Sequence, residues 1–561
     1  MQVELIKPKI AGDGMEIVAQ SSSRPEIGRG RSGIVYLQDD ESGGKLACKV
    51  FDSRGLTKAV QWFTLGAPNP YVWNVDAAEC AKIRRNILKL LVPVWMDGDV
   101  DVADASAVVL NKEEMTFELQ TRLVRGWAAH LHHPLSDEFD DEAENLWRRM
   151  MPALRAHLQD AGFDGLLWQA GAGNPVALNN FLYEPNDEEA ETTNTESSDG
   201  RWVWIDLESG VPAIFPISPK VLLNYSLAHW WRLGRPMFDD VEITRLKDYL
   251  KANAKELKLS LGVKNYESVV SDAERLGKHQ VKWKSIGRLQ SSIQYRVARG
   301  DIDQSQADYY SKHRLRWLFR EWVRGLLSSL KALKGGFLSV WKRLKRLDLK
   351  SLVHVCWKFL ISQKYREAFV HGYLDRSINQ WTKRGQLTNE HANILREQIG
   401  SPNSSVYITD FGIHIAIKPA VKATQYWVLP ALFAFGLLGG KTVAILILTG
   451  GAIGRSAYTL GRMLQSAANG HEKPWIALGV GLLPVVGNLA YPAQMIYSAG
   501  DKDQKLARFM MDDGFARIGR HFPIWGGQDT WTEHALNRIP RNLNRYLRKM
   551  GKRRAFHRKP G

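Results

Sequence analysis

Cysteine is scarce in this sequence. Its 561 residues include only Cys48, Cys80 and Cys356, which are far apart and lack CxxC or Cys/His spacing. This pattern excludes a disulfide framework and a zinc site, and it fits a reducing compartment. Acidic residues are also in the minority, with 59 against 76 lysines and arginines, so the formal net charge is +17. We therefore expect an anionic partner, for which the candidates are nucleic acid, anionic phospholipid and a phosphate-bearing substrate.

The N-terminal sequence lacks the pattern of a secretory signal peptide. Its beginning, MQVELIKPKIAGDGMEIV, contains acids, proline and glycine, and it has no apolar core of about 7 to 15 residues. We therefore expect a cytoplasmic N-terminal domain. The length of the chain predicts at least two folded units.

Changes in composition divide the chain into four segments. We predict an N-terminal domain over residues 1–240, with an acidic, aromatic-free loop at 184–199 between two strands. A basic helical region follows at 241–422, then an apolar segment at 423–500 and a basic tail at 501–561.

Three glycines lie close together near the N-terminus, in EIGRGRSGIVY at 26–36, and a strand-like LACKV follows at 46–50. Glycines let the backbone of a strand–turn–strand approach nucleotide phosphates closely. The predicted phosphate-binding residues of this turn are Gly28, Gly30, Ser32 and Gly33.

This stretch resembles the protein-kinase glycine-rich loop, G-x-G-x-x-G-x-V, followed by a V-A-I-K-like strand lysine. A Rossmann fold would instead need a helix directly after the glycines and an acidic residue after the next strand. The resemblance covers roughly residues 20–235. It implies ATP as the ligand, with Val35 over the base and Lys49 at the α- and β-phosphates.

The same resemblance assigns roles to residues further along the chain. Glu79, in the helical stretch DAAECAKIRRNILKLL, is the best-placed acid to orient Lys49, although 30 residues separate the two and imply an insertion. Asn179 or Asn180 looks like the metal-binding asparagine of the catalytic loop, and Asp206 looks like the metal-binding aspartate. Carboxylate and amide oxygens together suit Mg²⁺.

Two departures from the family pattern bear on activity. Asp206 is followed by Leu207-Glu208 rather than by Phe-Gly, which is more similar to bacterial small-molecule and lipopolysaccharide core sugar kinases. No His-Arg-Asp precedes the asparagines, so Asn174 or Pro175 stands where the catalytic aspartate is expected. Neither side chain accepts a proton as a carboxylate does.

Two interpretations of function follow from this pattern. The first is an ATP-dependent kinase at the cytoplasmic face of a bacterial inner membrane, acting on an envelope glycolipid or a protein. The second is a pseudokinase that binds nucleotide and acts as a signalling or scaffold module.

Two stretches of the basic region share a pattern. SIQYRVARGDIDQSQA at 292–307 and SINQWTKRGQLTNEHA at 377–392 both have Ser-Ile, Arg-Gly and a final Ala. We interpret them as two helix–turn–helix elements, in which the glycine permits the turn and Asp303 or Thr388 caps the second helix.

Long apolar runs predict a membrane hairpin. Residues 475–499 carry no charge over a length that suits a bilayer, and residues 426–454 are interrupted only by Lys441. A buried helical hairpin of a soluble domain is the alternative. Basic flanks favour two cytoplasmic termini, although Arg455, Arg462 and Lys473 lie between the two runs.

Basic helices beside these runs favour contact with anionic lipid. Nucleic-acid binding is not predicted, because no recognised DNA- or RNA-binding signature accompanies the basic tail. The expected fold is therefore α+β: a bilobal protein-kinase-like domain, an α-helical basic region and a two-helix membrane hairpin.

Overall fold

The protein is represented by a computed structural model in which part of the chain is described. The described residues are 17–18, 24–29, 33–39, 43–52, 55–111, 115–129, 135, 141–171, 177–185, 200–208, 238–325, 358, 362–401, 404, 407–415, 440–469, 472–483, 486–500, 504–520 and 538–557. Two compact units are present. The first falls within Met1–Ala129, Asp141–Lys334 and Asp529–Trp531, and the second within His130–Asp140, Gly335–Gln528 and Thr532–Gly561.

The first unit combines strands and helices, so the chain is α+β. Its described elements are β1 (Ile17–Val18), β2 (Glu26–Arg29), β3 (Ile34–Asp39), β4 (Lys45–Val50), α1 (Gly55–Leu65), α2 (Val75–Trp95), β5 (Val100–Val102), β6 (Ala105–Asn111), β7 (Thr116–Arg122), β8 (Trp127–Ala128), α3 (Asp141–Asn145), α4 (Met151–Asp160), β9 (Phe181–Pro185), β10 (Gly200–Trp204), α5 (Ile243–Ala252), α6 (Ala254–Leu261), α7 (Val263–Lys284), α8 (Arg288–Ala298), α9 (Gln304–Lys312) and α10 (314–325).

The larger sheet has six strands in the order β1-β6-β7-β4-β3-β2. Strands β2, β3, β4 and β7 are successively antiparallel, and the predicted glycine-rich turn joins β2 to β3. Strand β4 therefore lies inside the sheet, with β3 on one side and β7 on the other.

The smaller sheet has the order β5-β10-β9-β8. Strands β9 and β10 are antiparallel, with Phe181 opposite Trp204, and they flank the predicted acidic loop. Beyond the ladder, the Ile205 N–H donates to the Asn180 carbonyl at 2.8 Å. This bond brings the start of β9 beside the chain that leaves β10.

Helix α2 begins at an N-cap, where the Asn74 side chain accepts a hydrogen bond from the Ala77 N–H. One side of the helix is buried along most of its length. That side is otherwise apolar but carries two arginines, Arg84 and Arg85. Buried guanidinium groups need partners, because an unpaired buried charge is costly.

The predicted domain boundary near residue 240 differs from the division seen in the structure, because the first unit continues to Lys334. Helix α7 packs along α2, where His279 and Asp76 are 2.7 Å apart. Lys284 pairs with Asp240 on the chain leading into α5. The helices after 240 therefore complete the core of the first unit.

The second unit is helical throughout its described residues. Its helices are α11 (Gln363–Lys383), α12 (Asn389–Ile399), α13 (407–415), α14 (Gly440–Ala468), α15 (Trp475–Gly481), α16 (Ala490–Ala499), α17 (Lys505–Arg520) and α18 (Arg538–His557).

The two predicted helix–turn–helix elements have the same local geometry. In the first, Gly300 has φ +69° and the Asp303 side chain caps α9. In the second, Gly385 has φ +72° and Thr388 caps α12. The positive φ explains the glycine in each turn.

The apolar run 475–499 is not the continuous spanning helix that its sequence suggests. It forms α15 and α16, with a 3₁₀ turn at Val486–Leu489 before α16. Residues 490–496 are all buried within the second unit, so protein contacts account for the absence of charge there. Of the run 426–454, residues 426–439 lie outside the described residues. Within the described part of the chain, no helix is both long and apolar enough to cross a membrane.

Candidate functional site

Lys49 lies on the central strand β4, where its side chain is buried. Val35 on β3 is directly opposite Lys49, and Gly28 on β2 is opposite Val35. Residues directly opposite one another in a sheet share a face. Gly28, Val35 and Lys49 therefore form one row across three strands.

The Lys49 ammonium reaches the chain segment that follows β10. Its Nζ is 2.5 Å from Asp206 Oδ1 and 3.4 Å from Glu208 Oε2. Burial by itself lowers the pKa of Lys49, but the negative charges of Asp206 and Glu208 outweigh it and raise the pKa above its ordinary value. Lys49 is therefore a fixed positive charge at neutral pH.

Glu208 is held in place by Arg85 of α2. Arg85 Nε and one terminal nitrogen donate to the two Glu208 carboxylate oxygens at 2.7 and 2.8 Å, so the pair is bidentate. Arg85 also donates to the carbonyls of Ala103 and Ile205. Burial raises the pKa of Glu208, but the charges of Arg85 and Lys49 lower it to about 2. The carboxylate is therefore ionised in the folded protein.

The structure corrects the predicted role of Glu79. Among the described residues, the ion-pair partners of Lys49 are Asp206 and Glu208, and Glu79 is not one of them. Glu79 and Arg85 are six residues apart on α2, which places them about 120° apart around the helix axis. Arg85 faces the site and Glu79 lies on a different side of the helix, so Glu208 is the second carboxylate that contacts Lys49.

Sequence reasoning missed both Arg85 and Glu208. The available signal for Arg85 was the pair of arginines within an otherwise apolar helical face. For Glu208 it was the acid two residues after Asp206, at a position where a glycine was expected.

The two candidate metal-binding asparagines differ in their surroundings. The Asn180 amide nitrogen donates to the Gln169 carbonyl and to Gln169 Oε1, at 2.9 and 3.0 Å, and thus fixes the loop before β9. Asn179 Oδ1 is buried and has no hydrogen-bond partner among the described residues. A buried hydrogen-bond acceptor without a donor is energetically unfavourable unless another group, such as a metal ion, contacts it. Asn179 is therefore the better candidate for a metal ligand.

Mg²⁺ fits the residues present at this position. The carboxylate of Asp206 and the amide oxygen of Asn179 are oxygen ligands of the kind that Mg²⁺ takes, with the remaining ligands coming from water and phosphate. The bond from the Ile205 N–H to the Asn180 carbonyl holds the backbone next to Asn179 beside the backbone that leads to Asp206. The described residues contain no cluster of three or more His, Cys, Asp and Glu side chains that could hold a metal without such additional ligands.

The glycines of the predicted loop serve different purposes. A Cβ added at Gly33 would lie 2.1 Å from the Val50 carbonyl oxygen, so the packing of β3 against β4 requires this glycine. Among the described residues, a Cβ at Gly28 would meet only Val35, at an ordinary 3.9 Å. Packing against these residues therefore does not explain Gly28. The predicted phosphate-binding residues Gly30 and Ser32 lie outside the described residues.

The position of the catalytic base also lies outside the described residues, because they include neither Asn174 nor Pro175. Asp164 is the nearest aspartate before it in the sequence. Its carboxylate is 2.8 Å from Arg245 of α5, in an ion pair that joins two parts of the first unit. Asp164 is thus accounted for by structure.

An Asp-Phe-Gly tripeptide does occur in the sequence, at 410–412, where it belongs to helix α13 of the second unit. Asp410 accepts a hydrogen bond from the Tyr458 hydroxyl at 2.6 Å and pairs with Arg462. Arg455, on the same helix as Arg462, donates to the Leu483 carbonyl beyond the end of α15. These polar groups hold α13, α14 and α15 together. The tripeptide therefore lies in a helix and not at the end of a strand, where the kinase-like pattern places its metal-binding aspartate.

Comparison of the chain with protein-family models, curated proteins and solved structures finds no match. The assignment of the site therefore depends on the geometry of the chain itself.

Proposed function

We propose that the first unit binds ATP with Mg²⁺ in a protein-kinase-like, bilobal arrangement. The single observation that carries this proposal is the ion pair between Lys49 Nζ on β4 and Asp206 Oδ1 after β10, at 2.5 Å. In kinase-like folds the equivalent pair of residues holds the phosphates and the metal. The row Gly28–Val35–Lys49 supports the proposal, because it offers one face to a base and its phosphates.

In this proposal the residues of the chain have distinct roles. Lys49 positions the α- and β-phosphates, Glu208 and Arg85 fix the direction of Lys49, and Asp206 with Asn179 holds Mg²⁺. When bound, the metal neutralises charge on the phosphates. Nucleotide entry requires the Lys49–Asp206 pair to separate, since both groups then contact the nucleotide or its metal.

We further propose that the protein is an atypical kinase acting at a bacterial inner membrane. Phosphoryl transfer relies chiefly on positioning and charge neutralisation, so the loss of a carboxylate base does not by itself abolish it. The positive net charge and the apolar run at 426–454 favour an acceptor held at the membrane, either an envelope glycolipid or a protein.

A pseudokinase is the second candidate, and a specific observation favours it. The sequence offers Asn174 or Pro175 at the base position, and Asp164, the possible substitute, is engaged by Arg245. A protein of this kind binds nucleotide without turnover and signals through its conformation.

The experiment is a titration of the purified full chain with ATP, with and without Mg²⁺, followed by calorimetry and thermal unfolding. Lys49→Met is compared with Lys45→Met, which removes an exposed lysine from the same strand β4. We expect Lys49→Met to weaken ATP binding at least about tenfold, because one charge-assisted contact is lost. Lys45→Met should bind as the wild type does.

Equal ATP affinity in the two variants, or no binding by the wild type, would overturn the proposed site. Circular dichroism and the thermal midpoint without ATP establish that both variants fold. Incubation with labelled ATP and membrane extracts then separates the two candidates: transfer to lipid or protein supports the kinase, and binding without hydrolysis or transfer supports the pseudokinase.

A further inference from the structure

Helix α10 presents an apolar face to solvent. Leu315, Leu318, Phe319 and Trp322 are exposed by 82, 56, 66 and 64 %. Their spacing of i, i+3, i+4 and i+7 places them on one side of a helix. Four large apolar side chains at this spacing form a continuous strip, which we call the α10 face.

The opposite side of α10 attaches the helix to the protein. Trp317 is buried at 1 % exposure, and its indole N–H donates to Ser292 Oγ at 3.0 Å. Arg324 pairs with Asp301 at 2.9 Å, and Glu321 pairs with Arg296 at 2.7 Å. The helix is therefore docked through one side, and its orientation leaves the α10 face outward.

Positive charge borders the α10 face. Arg314 and Arg316 are exposed and lie on either side of it, about 90 to 110° around the helix from its centre. Arg320 is held over the Tyr310 ring at 5.0 Å. The sequence from 322 to 347 contains no acidic residue and several lysines and arginines. Any occupant of the α10 face must therefore be apolar in its centre and anionic around it.

We propose that the α10 face binds the surface of an anionic lipid bilayer. An apolar strip of Trp, Phe and Leu bordered by arginine is the signature of a helix lying in the membrane interface, with its rings among the acyl chains and its cations at the headgroups. A second copy of the chain is disfavoured as the occupant, because two such faces would bring like charges together. This binding is independent of the nucleotide site.

The α10 face differs in this respect from helix α13, which follows the second helix–turn–helix element as α10 follows the first. There, Ile408 and Phe411 of α13 are buried in the core of the second unit. Helix α10 instead leaves its apolar residues exposed. In this proposal the lipid surface takes the place that the core of the second unit takes for α13.

The test uses the full chain and sedimentation with vesicles of phosphatidylcholine alone or with phosphatidylglycerol. A double variant, Phe319→Ser with Trp322→Ser, is compared with Leu259→Ser, which removes an 88 % exposed leucine elsewhere in the first unit. We expect the double variant to bind anionic vesicles at least about tenfold more weakly, and the control to bind as the wild type does. Binding should fall in neutral vesicles and in high salt.

A second measurement detects insertion even where other segments contribute to attachment. An environment-sensitive fluorophore is placed on Phe319→Cys or on Leu259→Cys, each in a Cys356→Ser background. Anionic vesicles should shift the emission to the blue only at position 319. No shift at 319, or equal shifts at both positions, overturns the proposal.

Two other outcomes also overturn it. One is self-association in solution that the double variant abolishes, which assigns the α10 face to a second copy. The other is binding of an acidic helix-binding protein to the α10 face, such that this protein, at stoichiometric concentration, releases the chain from vesicles. ATP affinity, measured in parallel, should be unchanged in the double variant, so failure here is separable from failure of the nucleotide site.

Discussion

Arg85 and Glu208 form a bidentate ion pair, with N···O distances of 2.7 and 2.8 Å, that fixes the carboxylate beside Lys49. The pair joins helix α2 to the chain that follows β10. Both residues are buried. The helix therefore contributes a cation where a carboxylate was predicted, and the segment after β10 contributes the carboxylate.

This arrangement predicts a large effect of Glu208→Gln. Removing the negative charge leaves two buried cations with less compensation, so we expect the free energy of unfolding to fall by about 3 kcal/mol. Glu79→Gln is the matched control and should change it by less than about 0.5 kcal/mol. Urea unfolding of both variants measures the difference. Equal effects of the two substitutions would contradict the assignment of Glu208 as the orienting carboxylate.

The two asparagines before β9 should have separable effects. Asn180→Ala removes the hydrogen bonds to Gln169 and should lower the free energy of unfolding by about 1 to 2 kcal/mol, with little effect on the Mg²⁺ dependence of ATP binding.

Asn179→Ala removes an oxygen for which the described residues supply no hydrogen-bond donor. It should leave stability almost unchanged and raise the Mg²⁺ concentration needed for ATP binding. Titration of Mg²⁺ at fixed ATP measures the shift. A Mg²⁺ requirement altered only in Asn180→Ala would reverse the assignment.

The second unit should lose stability at mildly acidic pH through His414. Burial, together with the charge of Arg455, lowers the pKa of His414 from 6.5 to about 4, although a contact with the Gly487 carbonyl opposes the shift. Between these values the unfolded chain binds the proton and the folded protein does not. Stability is therefore retained above pH 6.5 and falls as the pH decreases from 6.5 to about 4. Below about pH 4 the contribution of His414 no longer changes.

Thermal unfolding of the full chain between pH 7.5 and 4 measures this effect. His414→Gln, which keeps a polar side chain but does not titrate, should flatten the part of the pH profile that His414 causes. His279→Gln is a control, because that histidine is partly exposed and pairs with Asp76 in the first unit. A profile unchanged by His414→Gln rules out this residue as the cause.

The parts of the site that could be predicted from sequence are those fixed by local spacing. The strand alternation around 34–50 defines the strand on which Lys49 lies, and the apolar run before Asp206 defines the end of β10. The two turns with Gly300 and Gly385 could also be predicted, because a positive φ favours glycine and a capping side chain follows it at a short, fixed distance in the sequence.

The parts that could not be predicted depend on contacts between distant segments. Which face of α2 meets the sheet decides between Glu79 and Arg85, and the sequence does not fix that rotation. Likewise, a charge-free run such as 475–499 suits both a bilayer and a protein interior, since both exclude charge. The packing around α16 distinguishes the two environments. The sequence of the run does not indicate this packing, because the residues that contact α16 lie elsewhere in the chain.

Gly28 and Gly33 allow the structural and functional reasons for a glycine to be tested side by side. Gly33→Ala places a methyl group against the Val50 carbonyl oxygen, so β3 and β4 must separate. We expect this variant to lower the free energy of unfolding by about 2 to 3 kcal/mol. Among the described residues, the methyl group of Gly28→Ala meets only Val35, at an ordinary contact distance, so this variant should change stability by less than about 0.5 kcal/mol.

For ATP affinity, measured on the folded fraction of each variant, we expect Gly28→Ala to have the larger effect and Gly33→Ala the smaller one. The methyl group of Gly28→Ala lies on the row that includes Val35 and Lys49, where it would hold the nucleotide away from the strand, so ATP affinity should fall several-fold. Calorimetry with ATP and Mg²⁺ at a temperature where both variants are folded measures this. Full ATP affinity in Gly28→Ala would mean that the nucleotide does not approach β2, and the proposed face of the sheet would be wrong even if Lys49 were required.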